Sequence, residues 1–217
     1  EQVDYAHECH KILKKYYPIV KGDLRIIDIG GSTGIVSREI SSLLSSELNI
    51  KSKITLLDPS INELAKAKKF ENFEIHNLTV EKIHTLNKKW DLALVCQTVD
   101  HLIDITGVLN SIHRSLTDNG VVFVDIVDWE YLLHRTQQIS ETIKIDHHHY
   151  LTMKTMEAFL IKCNFEVLHR SLGKDNLHVT FICKKAMQPQ LLVASDLKNH
   201  ADYLISLIRK YQAFEKS

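Results

Sequence analysis

The chain has 217 residues, 44% of them hydrophobic and 25% charged, with 27 Lys+Arg against 27 Asp+Glu. That length and balance suit one soluble α/β domain with a substantial core. A formal net charge of zero argues against bulk binding to nucleic acid or to a membrane surface, since both usually need a basic excess.

Residues 4–17 are expected to form a helix closed by Pro18 and Gly22. The leading EQVDYAHECH does not resemble a signal peptide, and the missing initiator Met suggests a trimmed chain or a piece of a longer protein. LRIIDIG (24–30) is a short β-branched run ending in glycine, the pattern of a buried parallel strand. A helix follows over 34–48, then a strand KITLLD (53–58) and a helix over 62–70 with Asn62 as its expected N-cap. FEIHNL (73–78) and DLALVC (91–96) are the third and fourth strands. A helix over 103–116 is expected to stop at the turn DNG (118–120), before a fifth strand VVFVDIV (121–127). Residues 128–150, rich in Trp, Tyr, His and Arg, break the rhythm and read as an insertion over one end of the sheet. After a helix over 152–165, EVLHRSL (166–172) and LHVTFICKK (177–185) read as a hairpin around GKDN (173–176).

Beyond Pro189, Val193, Leu197, Ala201, Leu204, Ile208 and Tyr211 make one apolar stripe on a separate helix. Its role stays open between docking on the domain, pairing with another copy and leading to a further domain. The expected organisation is a domain over 1–185 and a helical extension over 186–217. Within the domain, residues 24–127 form one half and 128–150 the insertion. Cys9, Cys96, Cys163 and Cys183 include no CxxC pair and read as free core thiols. No apolar run nears the roughly 18 residues of a membrane span. The cytoplasm is the expected location.

The alternation of strands and helices predicts a doubly wound, mostly parallel sheet with helices on both faces. In IIDIGGSTG (26–34) a strand runs into Gly30, Gly31 and Gly34 before a helix begins. Glycines there let the backbone turn sharply and approach a ligand closely. A dinucleotide GxGxxG loop would need glycine at 30, 32 and 35, where this chain has Gly30, Ser32 and Ile35; no GK[ST] follows for a P-loop. Asp28 precedes the loop, and Asp58 ends the second strand, where an acid can take both ribose hydroxyls.

Asp-Ile-Gly-Gly-Ser-Thr-Gly, followed one βα unit later by Leu-Asp-Pro-Ser, resembles the class I S-adenosylmethionine-dependent methyltransferases over roughly residues 24–185. The resemblance implies a seven-stranded sheet ending in an antiparallel hairpin. It implies that Asp28, Gly30, Gly31, Ser32 and Gly34 line the methionine part of S-adenosylmethionine and that Asp58 holds the ribose. It places Pro59 and Ser60 beside the adenine, with Leu78, Thr79 and Val80 at its border, and Gln97 and Thr98 near the methyl-bearing end. LVCQTVDHL (94–102) and KIDHHHYLT (144–152) further resemble methyltransferases of bacterial surface-glycan clusters, with His148 where that group has proline.

Methyl transfer to a hydroxyl requires the nucleophile to be positioned and its proton removed. His101 is the first candidate base and Asp100 its partner; the plainer reading makes Asp100 a helix cap. Asp128, Trp129, Tyr131, Arg135, His147 and Tyr150 are the candidate acceptor contacts, with His134 beside them. Asp146, His147 and His149 are too few for a closed zinc site, so no metal is assigned. The alternatives are a metal-assisted O-methyltransferase using Asp100, Asp125, Asp128 and Glu130, and a non-catalytic domain that docks a partner through residues 190–214. The expected activity is transfer of a methyl group to a hydroxyl of a small-molecule or glycan acceptor, with no nucleic-acid or membrane partner.

Overall fold

A computed structural model describes residues 2–17, 22–68, 70 and 72–215. Pro18 lies outside the described residues. The helix α1 (Gln2–Tyr16) precedes alternating strands and helices: β1 (Leu24–Ile29), α2 (Ile35–Leu48), β2 (Ser52–Leu57), α3 (Ile61–Ala67), β3 (Phe73–His76), β4 (Trp90–Cys96), α4 (Ile105–Ser115) and β5 (Leu116–Val127). Then come α5 (Trp129–Thr136), α6 (Met153–Lys162), the hairpin β6 (Phe165–Leu172) and β7 (His178–Lys185), and α7 (Ala194–Glu215). The seven strands lie in the order β3-β2-β1-β4-β5-β7-β6. The first five are parallel, and β7 runs antiparallel to both β5 and β6.

Each central strand is apolar on both sides because both faces are covered. Alternate residues Ile26, Leu92, Leu94 and Phe123 pack under α1 and α2 with Ala6, Leu13, Ile40 and Leu44. Their neighbours Ile27, Ala93, Val95 and Val124 pack on the other face with Val108, Ile112 and Leu160 of α4 and α6. Among the described residues no helix is long and apolar enough to cross a membrane.

Three local expectations are corrected. Ser60, not Asn62, caps α3, its side chain accepting from Glu63 N. The DNG segment lies inside β5, where the pairing jumps from Trp90↔Leu116 to Leu92↔Val121. The extra residues form an irregularity that the flanking pairs on β4 absorb, so no turn separates α4 from the strand. The cap of α4 is Asp104, whose carboxylate accepts from Gly107 N at 2.8 Å. Asp100 is therefore not a helix cap.

The C-terminal helix docks on its own chain. Leu207 and Tyr211 of α7 bury Leu133 of α5. His134 bonds the hydroxyls of Tyr211 at 3.2 Å and Tyr203 at 2.9 Å, and His200 meets the Thr152 hydroxyl at 2.9 Å.

Candidate cofactor and acceptor cleft

Strand β1 pairs with β2 on one side and β4 on the other. The chain order reverses there, so the loops at the carboxyl ends of these strands diverge and leave a crevice. A cleft of about 710 Å³ opens at this point, walled by Gln2 and Tyr5 of α1, Asp28, the glycine loop, Cys96 and Gln97, and Asp175 and His178 of the hairpin.

The glycine loop is shaped by its backbone. Gly30 N bonds Leu57 O at 2.8 Å and Gly34 N bonds Gly31 O at 2.8 Å, closing a turn against β2. Gly34 has φ +71°, and a Cβ there would run into the Phe73 ring. A Cβ on Gly31 would stand 2.5 Å from Leu56 Cδ1 and collide with the Asp28 carboxyl group. Ser32 adopts φ +52°, a conformation unusual for a residue with a side chain. Its amide is held by Asp58 Oδ2 at 2.9 Å and its hydroxyl by Glu63 at 3.1 Å. The other oxygen of Asp58 accepts from Ser60 N at 2.7 Å. Asp58 thus ties the first loop to the second, a task the sequence did not reveal. Asn77 continues the tie by donating to Asp58 O at 3.2 Å and Pro59 O at 2.8 Å.

Asp28 is buried, and its Oδ2 has no hydrogen-bond partner. Burial raises its carboxyl to about 6, opposed by the Ser37 hydroxyl and helped by the nearby Asp58 charge. An orphaned carboxylate oxygen behind a glycine cradle fits a ligand that carries a cationic group, as S-adenosylmethionine does. Pro59 and Thr79 are exposed, Ser60 and Leu78 are half-buried and Val80 is buried beside Ile83. Ser60, Leu78 and Val80 thereby hold the second and third loops.

Gln97 reaches the cleft because its backbone turns to φ +50°, with its amide bonded to Asp125 O at 2.9 Å. The Thr98 hydroxyl donates to Ile29 O at 3.2 Å and Cys96 O at 3.0 Å, bracing the ends of β1 and β4. Asp100 and His101 then sit in a short 3-10 turn and are not among the residues walling the cleft. The carboxylate nearest His147 is that of Asp100, with Nδ1 and Oδ2 3.0 Å apart as an ion-pair contact, and this contact is made by His147, not His101. His101 bonds the Asp146 carbonyl through Nδ1 at 3.0 Å, and its ring meets that of His147 edge-on at 4.7 Å. Asp100 O also receives the amides of His148 at 2.9 Å and His149 at 3.2 Å. The two glycan-type segments therefore fasten to each other.

The insertion folds largely onto itself. Asp128 is buried as the cap of α5, accepting from Tyr131 N at 3.1 Å and Met153 N at 2.5 Å. Trp129 donates to the Thr142 hydroxyl at 3.1 Å, and its ring lies 5.7 Å from that of Tyr150. Trp129, His147 and Tyr150 enclose, with Asp100, Lys144 and His149, a cavity of about 30 Å³, room for about one water. Tyr131 and Arg135 are exposed. Glu130 lies 3.9 Å from His200 Nε2 of α7, so Asp128 and Glu130 do not converge on a cation. Among the described residues, Asp100, His101 and His147 are the group whose ligand atoms lie within 4.8 Å of one another.

Tyr5 and His178 in the cleft wall escaped the sequence reading, and Asp125, which interacts with both, figured there only as a metal candidate. Asp125 of β5 is fully buried, with both oxygens unpartnered; burial raises its carboxyl to about 7, although His178, Tyr5 and Gln97 pull it down. The Tyr5 hydroxyl is buried, and burial with Cys96 and Asp125 nearby keeps it protonated well above the usual range. His178 is bonded through Nδ1 to Asp175 Oδ2. The alternating apolar pattern of β7 hid His178 at its first position.

A family profile described as a methyltransferase domain matches residues 2–170. A ubiquinone biosynthesis O-methyltransferase from Bartonella tribocorum is 21% identical over 167 residues, covering 73% of this chain and 64% of that protein. One from Bradyrhizobium diazoefficiens is 26% identical over 112 residues, covering 49% of this chain and 41% of that protein. The chain thus spans less than two thirds of the length of these curated relatives. An S-adenosylmethionine-dependent methyltransferase from Clostridium acetobutylicum shares the fold with a TM-score of 0.68 at 14% identity, covering 86% of this chain and 92% of that one.

Proposed function

The chain belongs to the S-adenosylmethionine-dependent methyltransferases, and from that premise we propose that it methylates a hydroxyl oxygen of a small-molecule or glycan acceptor. One observation carries the reading: the glycine loop, the orphaned Asp28 carboxylate and the end of β4 open into a single cleft of about 710 Å³. Oxygen is favoured as the acceptor atom because both curated relatives are O-methyltransferases by name.

S-adenosylmethionine supplies a methyl carbon already activated by its sulfonium. Asp28 and the Gly30–Gly34 loop hold the methionine end, and Asp58 keeps the loop in register while offering its remaining lone pairs to the ribose. Pro59, Ser60, Leu78, Thr79 and Val80 border the adenine. Gln97 and Thr98 fix the methyl end, since Thr98 braces the two strands beneath it. The acceptor enters between α1 and the hairpin. Two imidazoles stand at the carboxyl edge of the sheet, His101 in the turn after β4 and His178 in the cleft wall. Calorimetry with S-adenosylhomocysteine tests the reading: saturable binding is expected, and no binding at millimolar ligand sinks it.

A second reading, metal-assisted transfer, has the cluster of Asp100, His101 and His147 in its favour. Two imidazoles and a carboxylate suit Zn²⁺ or Mn²⁺ better than Mg²⁺. Turnover lost on dialysis against a chelator and restored by one of these ions selects it; turnover that survives chelation removes it.

A further inference from the structure

The antiparallel last strand changes what the cleft contains. Because β7 runs against β5, its first residue pairs with the last of β5, His178↔Val127. The hairpin turn is thereby delivered to the carboxyl edge of the sheet, opposite the glycine loop. Asp175 in that turn is organised by its own backbone: Oδ1 accepts from Leu177 N at 2.9 Å and His178 N at 3.1 Å, while Oδ2 takes the His178 ring. Lys174 pins the turn to Glu8 of α1 at 2.6 Å.

We propose that His178, oriented by Asp175, is the imidazole that takes the acceptor hydroxyl's proton in this cleft. The inference rests on the methyltransferase reading above. Asp175 Oδ2 has no proton to give, so Nδ1 is the donor and Nε2 is left as the acceptor nitrogen. Burial works against ionisation of Asp175, but the two amides and the ring outweigh it and hold its carboxyl at about 2. The carboxylate is therefore charged at every working pH and stabilises the ring once it is protonated. The His178 side chain remains 29% exposed, so a ligand can reach it.

The other groups facing the ring set its surroundings. Tyr5 of α1 places its ring centroid 6.4 Å away, and buried Asp125 of β5 interacts with both. His101 has none of this: its Nδ1 is engaged by a main-chain carbonyl, its nearest carboxylate is 3.8 Å away, and it does not wall the cleft. In the reaction the acceptor O–H proton passes to Nε2 as the oxygen bonds the methyl carbon. The methyl–sulfur bond breaks with its electron pair on sulfur, giving S-adenosylhomocysteine, and the ring then releases its proton to water.

The test compares wild type, His178→Gln and His101→Gln with 3,4-dihydroxybenzoate as probe acceptor, beside nitrogen NMR of the histidine rings. His178→Gln is expected to lower kcat about 100-fold, with the acceptor KM and S-adenosylhomocysteine affinity little changed and the acid limb of the pH profile gone. Imidazole should rescue His178→Gly. The wild-type His178 ring should be an Nδ1–H tautomer whose Nε2 signal shifts when S-adenosylhomocysteine and then the probe are added. An Nε2 signal indifferent to both, whether or not the probe is turned over, overturns the proposal. Unchanged kcat in His178→Gln, or a kcat loss confined to His101→Gln, overturns it too. In those cases cofactor binding persists; its absence from the wild type sinks the methyltransferase reading itself.

Discussion

The edge proposed for the cofactor, at β1 and β2, and the edge proposed for the acceptor, at β4, β5 and β7, are built by different means. The first is held by short backbone devices: Ser32 and Gly34 at positive φ, and one carboxylate, Asp58, serving two amides. The second is held by side chains brought from far apart in sequence, as when His147 reaches Asp100 and Lys174 reaches Glu8. A loop defined by backbone geometry tolerates little substitution. A surface joined by side-chain contacts can change its acceptor and keep the fold.

The largest effect should come from Asp58→Ala, which strips both amides of an ionised acceptor, each bond worth about 1.5–3 kcal/mol. Thermal melts and calorimetry should both register it, as a lower Tm and weakened cofactor binding. A variant with wild-type affinity would mean that the cofactor edge does not depend on this clamp. Gly31→Val comes next. Its side chain meets Asp28 and Leu56, and strain of about 1–3 kcal/mol should weaken cofactor binding roughly 10- to 100-fold. Accommodation without loss would show the loop to be looser than its contacts suggest.

The two buried acids give a pH test that spans both edges. Asp28 at about 6 and Asp125 at about 7 lie above their ordinary value of 3.8, chiefly through burial. The folded chain therefore binds these protons more tightly than the unfolded one. Their stabilisation is complete below about pH 4 and is lost as pH rises through 6 and 7. The Tm difference between wild type and Asp125→Asn, measured without cofactor, should move in favour of Asn as pH rises from 4 to 8; a flat difference breaks the assignment. Cofactor binding should behave in the opposite sense, weakening below about pH 6 as Asp28 takes up its proton and ceases to attract a cation. The smallest effect belongs to Asp100→Ala. Losing the His147 contact, worth about 0.2–1 kcal/mol, should speed amide exchange over residues 146–149 and leave cofactor affinity unchanged. A fall in cofactor affinity would show that the two edges are coupled.

The same division governs what could be read in advance. The strand–glycine–helix pattern at 24–34 and the acid ending β2 were legible because their geometry is dictated by neighbours in sequence. The hairpin at 165–185 was legible from alternation and the GKDN turn. Asp100 shows the limit. From LVCQTVDHL a helix cap and a catalytic partner were equally plausible, and the structure makes it neither cap nor partner of His101, because Asp104 caps α4 and His147 arrives from 47 residues later. The aromatic residues of 128–150 read as acceptor contacts, and in the fold Trp129, His147 and Tyr150 close on one another around a space of about 30 Å³.

The sequence by itself determined the layered α/β fold, the glycine turn after β1 and the family. Those rest on hydrophobic period, on glycine and on local turn chemistry. Only the tertiary structure decided which acids and imidazoles share a cleft. Asp28, Tyr5, Asp175 and His178 come from β1, α1 and the β6–β7 hairpin, with Asp125 of β5 beside them, and they meet because β7 returns antiparallel and α1 folds over the sheet's edge. Such convergence depends on the register and direction of whole elements, which no local pattern of residues encodes.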